Sequence, residues 1–322
     1  MHQAFLEEGI NPKRAVKHPS ATIVAMQNIL LIANPAAQSG RAANAARDAG
    51  AMLHAATGAN VRLETTQRSH HAETLAQEAA HYDAVVTLGG DGVVHETING
   101  LMRLPEELRP ALGVIPAGTG NDYARSLDMP KNPARAIERI ARNEARWVDL
   151  GQVNNTYFME TLSFGLDAAI AIETVERRKH TNKSGTALYA ECGFNQIAHH
   201  LDAHAWTASF DGGVPVSSSS ITFAVQVGPY YGGGFRICPD ASIDNGRFDV
   251  CIAHPPLGRA KAAFIFVRAK NGKHTGFQCM EMRTCKKLHV EFEVTPPAQM
   301  DGEQIVARVY DVSILPHALR VL

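Results

Sequence analysis

Four carboxylates in this chain stand beside glycines: Asp91 in Gly89-Gly90-Asp91-Gly92, Asp122 in Gly118-Thr119-Gly120-Asn121-Asp122, and the pair in Asp301-Gly302-Glu303. Glycine lets a backbone come close to a ligand, and the free N–H groups at a helix start favour an anion. A carboxylate next to a phosphate is repelled unless a divalent cation lies between them, so Asp91 implies a Mg²⁺-nucleotide rather than bare phosphate. If Asp301 and Glu303 lie on an extended segment, their i, i+2 spacing sends both carboxylates to one face. One could then serve metal or orientation and the other a proton. The competing reading of Asp301-Gly302 is a hairpin turn, which the dipeptide by itself favours.

These residues need elements to hold them. Ala84, Val85, Val86 and Leu88 read as a short buried strand, and Val93, Val94, Ile98, Leu101 and Met102 fall near helical spacing, so the first glycine turn joins a strand to a helix. Ala111–Ile115 repeats the pattern before the second turn. Two such turns after neighbouring strands would face one crevice at the carboxyl end of a parallel sheet. The second turn is no dinucleotide fingerprint, because position 123 is Tyr, and no Gly-Lys-Ser/Thr of a Walker A loop follows either turn. Upstream, the strand Asn28–Ala33 leads into Asn34-Pro35-Ala36-Ala37-Gln38-Ser39-Gly40, a weaker candidate for a phosphate-facing loop, and then a helix from about Arg41 to Ala56. Val61–Thr65 predicts a strand and Ala72–Ala80 a helix.

From about Arg146 the pattern turns to strands: Trp147–Val153, Tyr157–Ser163, Ala205–Phe210, Ile221–Val227, Arg247–Ala253, Leu288–Val294 and Gln304–Val309. Helices are expected near Asp167–Glu176, Ala187–Leu201 and Leu257–Lys270. Ser217–Ser220 reads as a turn, and the closing VSILPHALRVL as a strand pair or edge of undecided domain.

The 322 residues suffice for two domains, and 45% hydrophobic with 20% charged residues marks a globular chain with a real core. A net charge of −1 argues against broad nucleic-acid binding. Five cysteines without a Cys-x-x-Cys pair suit reduced thiols, and with no signal-like N-terminus or long apolar run they point to a cytoplasmic protein. Residues 1–27 look like an extension and are given no function. His200 and His204, four apart on an expected helix, have metal-pair spacing but no third ligand. The Leu257–Lys270 stretch mixes Phe264, Ile265, Phe266 and Val267 with Arg259, Lys261, Arg268 and Lys270, which suits a core-packed helix with a basic outer face better than a membrane contact.

With Gly232-Gly233-Gly234-Phe235, Pro239 and Ala241 added, the motifs resemble the diacylglycerol kinase catalytic-domain family, in particular its soluble bacterial lipid kinases. Lys183-x-Gly185 with Tyr189 also fits the pattern. The match runs from about Asn28 to the C-terminus. The resemblance implies an α/β fold of two domains: an N-terminal three-layer nucleotide-binding domain with a mainly parallel sheet (28–145) and a C-terminal β-rich, sandwich-like domain (146–322). The last strand, about 311–322, is a candidate to return to the first domain, and the active site would lie in the cleft between the two. It further implies an ATP- and Mg²⁺-dependent transfer of the γ-phosphate to a hydroxyl of a lipid such as diacylglycerol, with transient membrane-surface contact. The oligomeric state stays open, a homodimer among the options.

Carried over by position, ATP would meet Asn34, Pro35, Ser39, Gly40, Thr66, Gly89, Gly90, Asp91, Gly92, Val93, Val94, His95, Gly118, Thr119 and Asn121. Glu303 matches the proton acceptor, with Asp301 beside it, and Asp91, Asp122 and Asp301 match the acids that organise the catalytic Mg²⁺. The chain departs from the family at Val93, where a Thr or Ser is usual, so altered nucleotide contact is expected. It also departs at Asn245, where a second, structural Mg²⁺ site formed with Ser242 and Arg247 would have an Asp. An NAD kinase or sugar kinase sharing the GGDG turn, and a non-catalytic lipid- or nucleotide-binding protein on the same scaffold, are the alternatives.

Overall fold

The computed structural model describes residues 25–34, 42–181, 183 and 185–322. The first half alternates strand and helix: β1 (Asn28–Ala33), α1 (Ala42–Thr57), β2 (Asn60–Thr65), α2 (His71–Gln77), β3 (Ala84–Gly89), α3 (Asp91–Leu101), β4 (Ala111–Pro116), α4 (Asp122–Ser126) and α5 (Pro133–Ala141). Every residue of β3 and β4 is buried, as continuous apolar strands covered on both faces must be, and β2-β1-β3-β4 pair in parallel.

The second half is mainly antiparallel: β5 (Arg146–Val153), β6 (Thr156–Phe158), β7 (Thr161–Gly165), α6 (Leu166–Arg178), α7 (Gly185–His199), β8 (His204–Phe210), β9 (Val216–Ser220), β10 (Thr222–Gln226), β11 (Tyr230–Tyr231), β12 (Phe235–Arg236) and β13 (Phe248–Ala253) come first. Then follow α8 (Arg259–Ala269), β14 (Met280–Cys285), β15 (Lys287–Phe292), β16 (Ala298–Met300), β17 (Glu303–Ile305) and β18 (Val309–Val321). A six-stranded sheet runs β14-β13-β10-β7-β16-β17. The larger, ten-stranded sheet runs β2-β1-β3-β4-β18-β15-β8-β9, with β5 and β6 joined through β18. The chain is thus mixed α/β, with a parallel N-terminal part and a β-rich C-terminal part.

β18 joins the two parts. Its end lies parallel to β4 (Val321 opposite Leu112), while its body pairs antiparallel with β5 and β15. The closing segment is therefore one long interior strand rather than a strand pair or edge. A register shift between Leu315 and Leu319 takes up Pro316 and the left-handed His317, where a regular ladder would need the N–H that proline lacks. One hydrophobic cluster accordingly contains Ile32 and Val86 as well as Phe292, Tyr310 and Leu319.

Other expectations shift for local reasons. Ser217–Ser220 belongs to strand β9, because cross-strand partners hold its hydroxyls: Thr207 Oγ1 lies 2.8 Å from Ser217 Oγ, and Trp206 Nε1 donates to Ser220 Oγ at 3.0 Å. The run expected over 157–163 is cut into β6 and β7, which enter different sheets, and the run over 304–309 breaks after Ile305. The helix α7 stops at His199, so His200 lies beyond it and His204 opens β8; the two do not share the helix face a metal pair needs. No described helix is long and apolar enough to cross a membrane, and all five cysteines are free thiols.

Candidate active site

Parallel pairing sets the turns after β3 and β4 side by side. Gly90 and Gly118 press together: a Cβ on Gly118 would lie 2.4 Å from the Gly90 Cα, which no side chain permits. Asn121 takes the left-handed conformation (φ 53°) and folds the second turn on itself, accepting the Gly118 N–H at 2.9 Å and donating to the Gly118 carbonyl at 2.7 Å. Asp91, first residue of α3, accepts the Tyr123 N–H at 3.1 Å, so the carboxylate of one turn caps the short helix after the other. Asp122 accepts the Gly233 N–H at 2.8 Å and fixes α4 to the glycine run of the second half. Burial raises the Asp91 carboxyl above its usual range against the pull of these N–H groups. Burial and then the charge of Asp91 push Asp122 up to about 7.

The β16–β17 hairpin supplies the opposite wall. Asp301 and Gly302 both have positive φ (49° and 93°) and form a two-residue turn between the paired Met300 and Glu303. The extended arrangement that would align Asp301 with Glu303 is therefore corrected. Asp301 turns inward, where its oxygens accept the N–H groups of Met159, Glu160 and Thr161 at 2.8, 3.0 and 3.0 Å and contact His95 Nδ1 at 2.9 Å. Four partners use up what a carboxylate can accept, so Asp301 holds the β6–β7 junction to the hairpin. Glu303 stays exposed on the wall. Burial opposes charge on His95, but the hydrogen bond and charge of Asp301 outweigh it and raise the imidazole.

These parts enclose a cavity of about 490 Å³. Its wall includes Asn34, Gly90, Asp91, Gly92, Val93, Gly118 and Thr119 of the expected nucleotide residues, and Asp122, Asp301 and Glu303 of the expected acids. Gly89, Val94, His95, Asn121 and Thr66 lie off that wall. Val94 is packed in the core, and His95 meets Asp301 instead. Pro35, Ser39 and Gly40 lie outside the described residues. Val93 packs back over the turn, so a Cβ on Gly89 would lie 2.4 Å from its Cγ1. The wall also carries Ala171, Thr174, Val175 and Arg178 of α6, Tyr189 of α7, and Tyr231.

Sequence reasoning missed Glu160. It is only 3% exposed, neither carboxylate oxygen makes a well-formed hydrogen bond, and burial first, then Asp122, Asp301 and Asp91, raise it well above the usual range against the pull of the Ser126 hydroxyl. Its signal was an acid in the middle of the apolar run Tyr157-Phe158-Met159-Glu160-Thr161-Leu162. Two crowded acids and a buried carboxyl without a well-formed hydrogen bond on one wall are a donor set that suits a divalent cation. Among the described residues, no group of three or more His, Cys, Asp or Glu side chains is arranged to hold a metal ion. At the suggested second metal site, Asn245 Oδ1 accepts the Arg247 N–H at 3.2 Å and Ser242 donates to Asp244, both within the loop.

The model of the diacylglycerol kinase catalytic domain matches residues 28–153, and that of the YegS C-terminal NAD kinase β-sandwich-like domain matches residues 160–322. A diacylglycerol kinase of Staphylococcus aureus (strain JH9) is 29% identical over 240 residues, covering 74% of each chain. Among solved structures, a diacylglycerol kinase from Bacillus anthracis str. Sterne aligns with a TM-score of 0.72 at 22% identity, over 92% of this chain and 97% of that one. An ATP complex of an NAD kinase from Archaeoglobus fulgidus aligns with a TM-score of 0.51 at 13% identity, over 91% and 92% of the two chains. At these identities the structural matches speak for the fold. With both halves matched in order, the chain belongs to the diacylglycerol kinase catalytic-domain family.

Proposed function

We propose that this protein is an ATP- and Mg²⁺-dependent lipid kinase that transfers the γ-phosphate to a free hydroxyl of a lipid such as diacylglycerol at the cytoplasmic side of a membrane. The observation that carries this reading is a single cavity whose wall combines two glycine turns, the acids Asp91, Asp122, Glu160, Asp301 and Glu303, and the apolar or aromatic residues Ala171, Val175, Tyr189 and Tyr231. In this reading residues 28–145 hold the nucleotide and residues 146–322 the lipid. The backbone of the turns faces the phosphates, and Asp91 and Asp122 hold the cation that neutralises them. Glu303 takes the proton of the attacking hydroxyl. Asp301 keeps the hairpin, and hence Glu303, in place.

An NAD kinase is the second reading, favoured by the sandwich-like domain and the ATP-complexed fold neighbour. The apolar wall supports the lipid. Incubation with γ-labelled ATP and total lipid extract, alongside NAD, followed by mass identification of the labelled product, decides between them. Label in a lipid is expected; label only in NADP, or in neither, overturns the proposal.

A further inference from the structure

Helix α8 is inside out at its surface. Ala262, Ile265 and Ala269 bury one side, and at 100° per residue the opposite pole carries Ala260, Phe264 and Val267 rather than charge. Phe264 and Val267 are 56% and 55% exposed, and Phe194 on the neighbouring α7 is 47% exposed, its ring meeting Phe266 at 5.7 Å. The helix is core-packed with exposed cations as expected, but those cations flank an apolar pole on its outer side. Arg259 and Lys261 sit in the first turn, where the helix dipole disfavours positive charge, and Arg268 lies in the last. None of the three pairs with a carboxylate among the described residues; Arg268 lies over the Phe264 ring at 6.0 Å. From Leu257 to Phe277 the chain contains no acidic residue. No carboxylate among the described residues accounts for this charge.

We propose that Phe264, Val267 and Phe194, flanked by Arg259, Lys261 and Arg268, form a docking surface for an anionic lipid bilayer. Aromatic and aliphatic side chains enter the interface while the flanking cations reach the headgroups. The choice of a bilayer over another anionic surface rests on the lipid-kinase reading. Helix α8 itself packs on two residues of the cavity wall: Phe266 stacks on Tyr189 with ring centroids 6.3 Å apart, and Lys270 donates to the Gly233 carbonyl at 2.9 Å.

The test is cosedimentation of the full chain with vesicles of phosphatidylcholine, with and without phosphatidylglycerol. The wild type is expected to bind the anionic vesicles at least about tenfold more tightly than the neutral ones, with binding falling as salt rises. Phe264→Ser with Val267→Ser, and separately Arg259→Gln with Lys261→Gln and Arg268→Gln, should each cost about tenfold while the melting temperature stays unchanged. Equal binding to neutral vesicles, variants that bind like the wild type, or a shift of the wild type from dimer to monomer in the serine variant would overturn the proposal. A parallel assay of phosphate transfer to a short-chain, monomeric lipid separates the two claims. Transfer with unchanged vesicle binding defeats the surface alone, whereas lost vesicle binding in variants of a protein that phosphorylates no lipid defeats only the kinase reading.

Discussion

The acids around the cavity divide by what their oxygens already hold. Glu303 is exposed and on the wall, so Glu303→Gln should lower kcat by roughly 10²–10⁴ while Mg-ATP affinity stays near wild type; steady-state kinetics paired with calorimetry checks this. Asp301 is saturated by three N–H groups and His95, and Asp301→Ala strands those buried donors. We expect a loss of about 2–4 kcal/mol in urea unfolding with no metal present, whereas a residue that only binds metal would show no loss there. Glu160 is held above its ordinary 4.5, so the folded protein binds that proton more tightly than the unfolded chain. The penalty for its burial therefore starts near pH 4.5 and grows as pH rises towards the folded value. Glu160→Gln removes that penalty, and its melting temperature in EDTA should equal wild type near pH 4 and exceed it by a few degrees near pH 8. A constant offset across that range would contradict the assignment.

At the scale of elements, the contact between the two glycine turns decides the site. Gly118→Ala drives a Cβ into the Gly90 backbone, where no side chain can swing away, so β4 and α4 must move from β3 and α3. Mg-ATP binding is expected to weaken by at least about tenfold with the core still folded, read by calorimetry beside circular dichroism. Both turns could be read from residue types, since glycines after apolar runs have few other uses. The β16–β17 hairpin was half legible: Asp301-Gly302 has turn chemistry, but the inward aim of Asp301 depends on N–H groups about 140 residues earlier.

For the molecule as a whole, β18 holds the parallel and antiparallel parts in one sheet. Leu319, Val321 and Leu322 are buried, and Arg109 Nη1 donates to the Ala318 carbonyl at 2.7 Å. Removing residues 318–322 deletes three buried apolar side chains, at about 1.5–3 kcal/mol each, and leaves one edge of β4 unpaired. That sum approaches the stability of an ordinary domain, so the shortened chain should be insoluble or unfolded by circular dichroism. A folded, nucleotide-binding product would show that the N-terminal part closes without β18.

The sequence by itself determined the local chemistry: which strands are buried, where glycine turns open helices, and which carboxylates stand beside them. These are properties of a few consecutive residues, because apolar runs and turn residues act over the length of one element. Only the tertiary structure decided that β18 is an interior strand, that Asp301 braces while Glu303 faces the cavity, and that Glu160 is buried without a well-formed hydrogen bond. Those outcomes depend on which distant backbone groups remain to be hydrogen-bonded once the sheets have formed, and no local pattern encodes that.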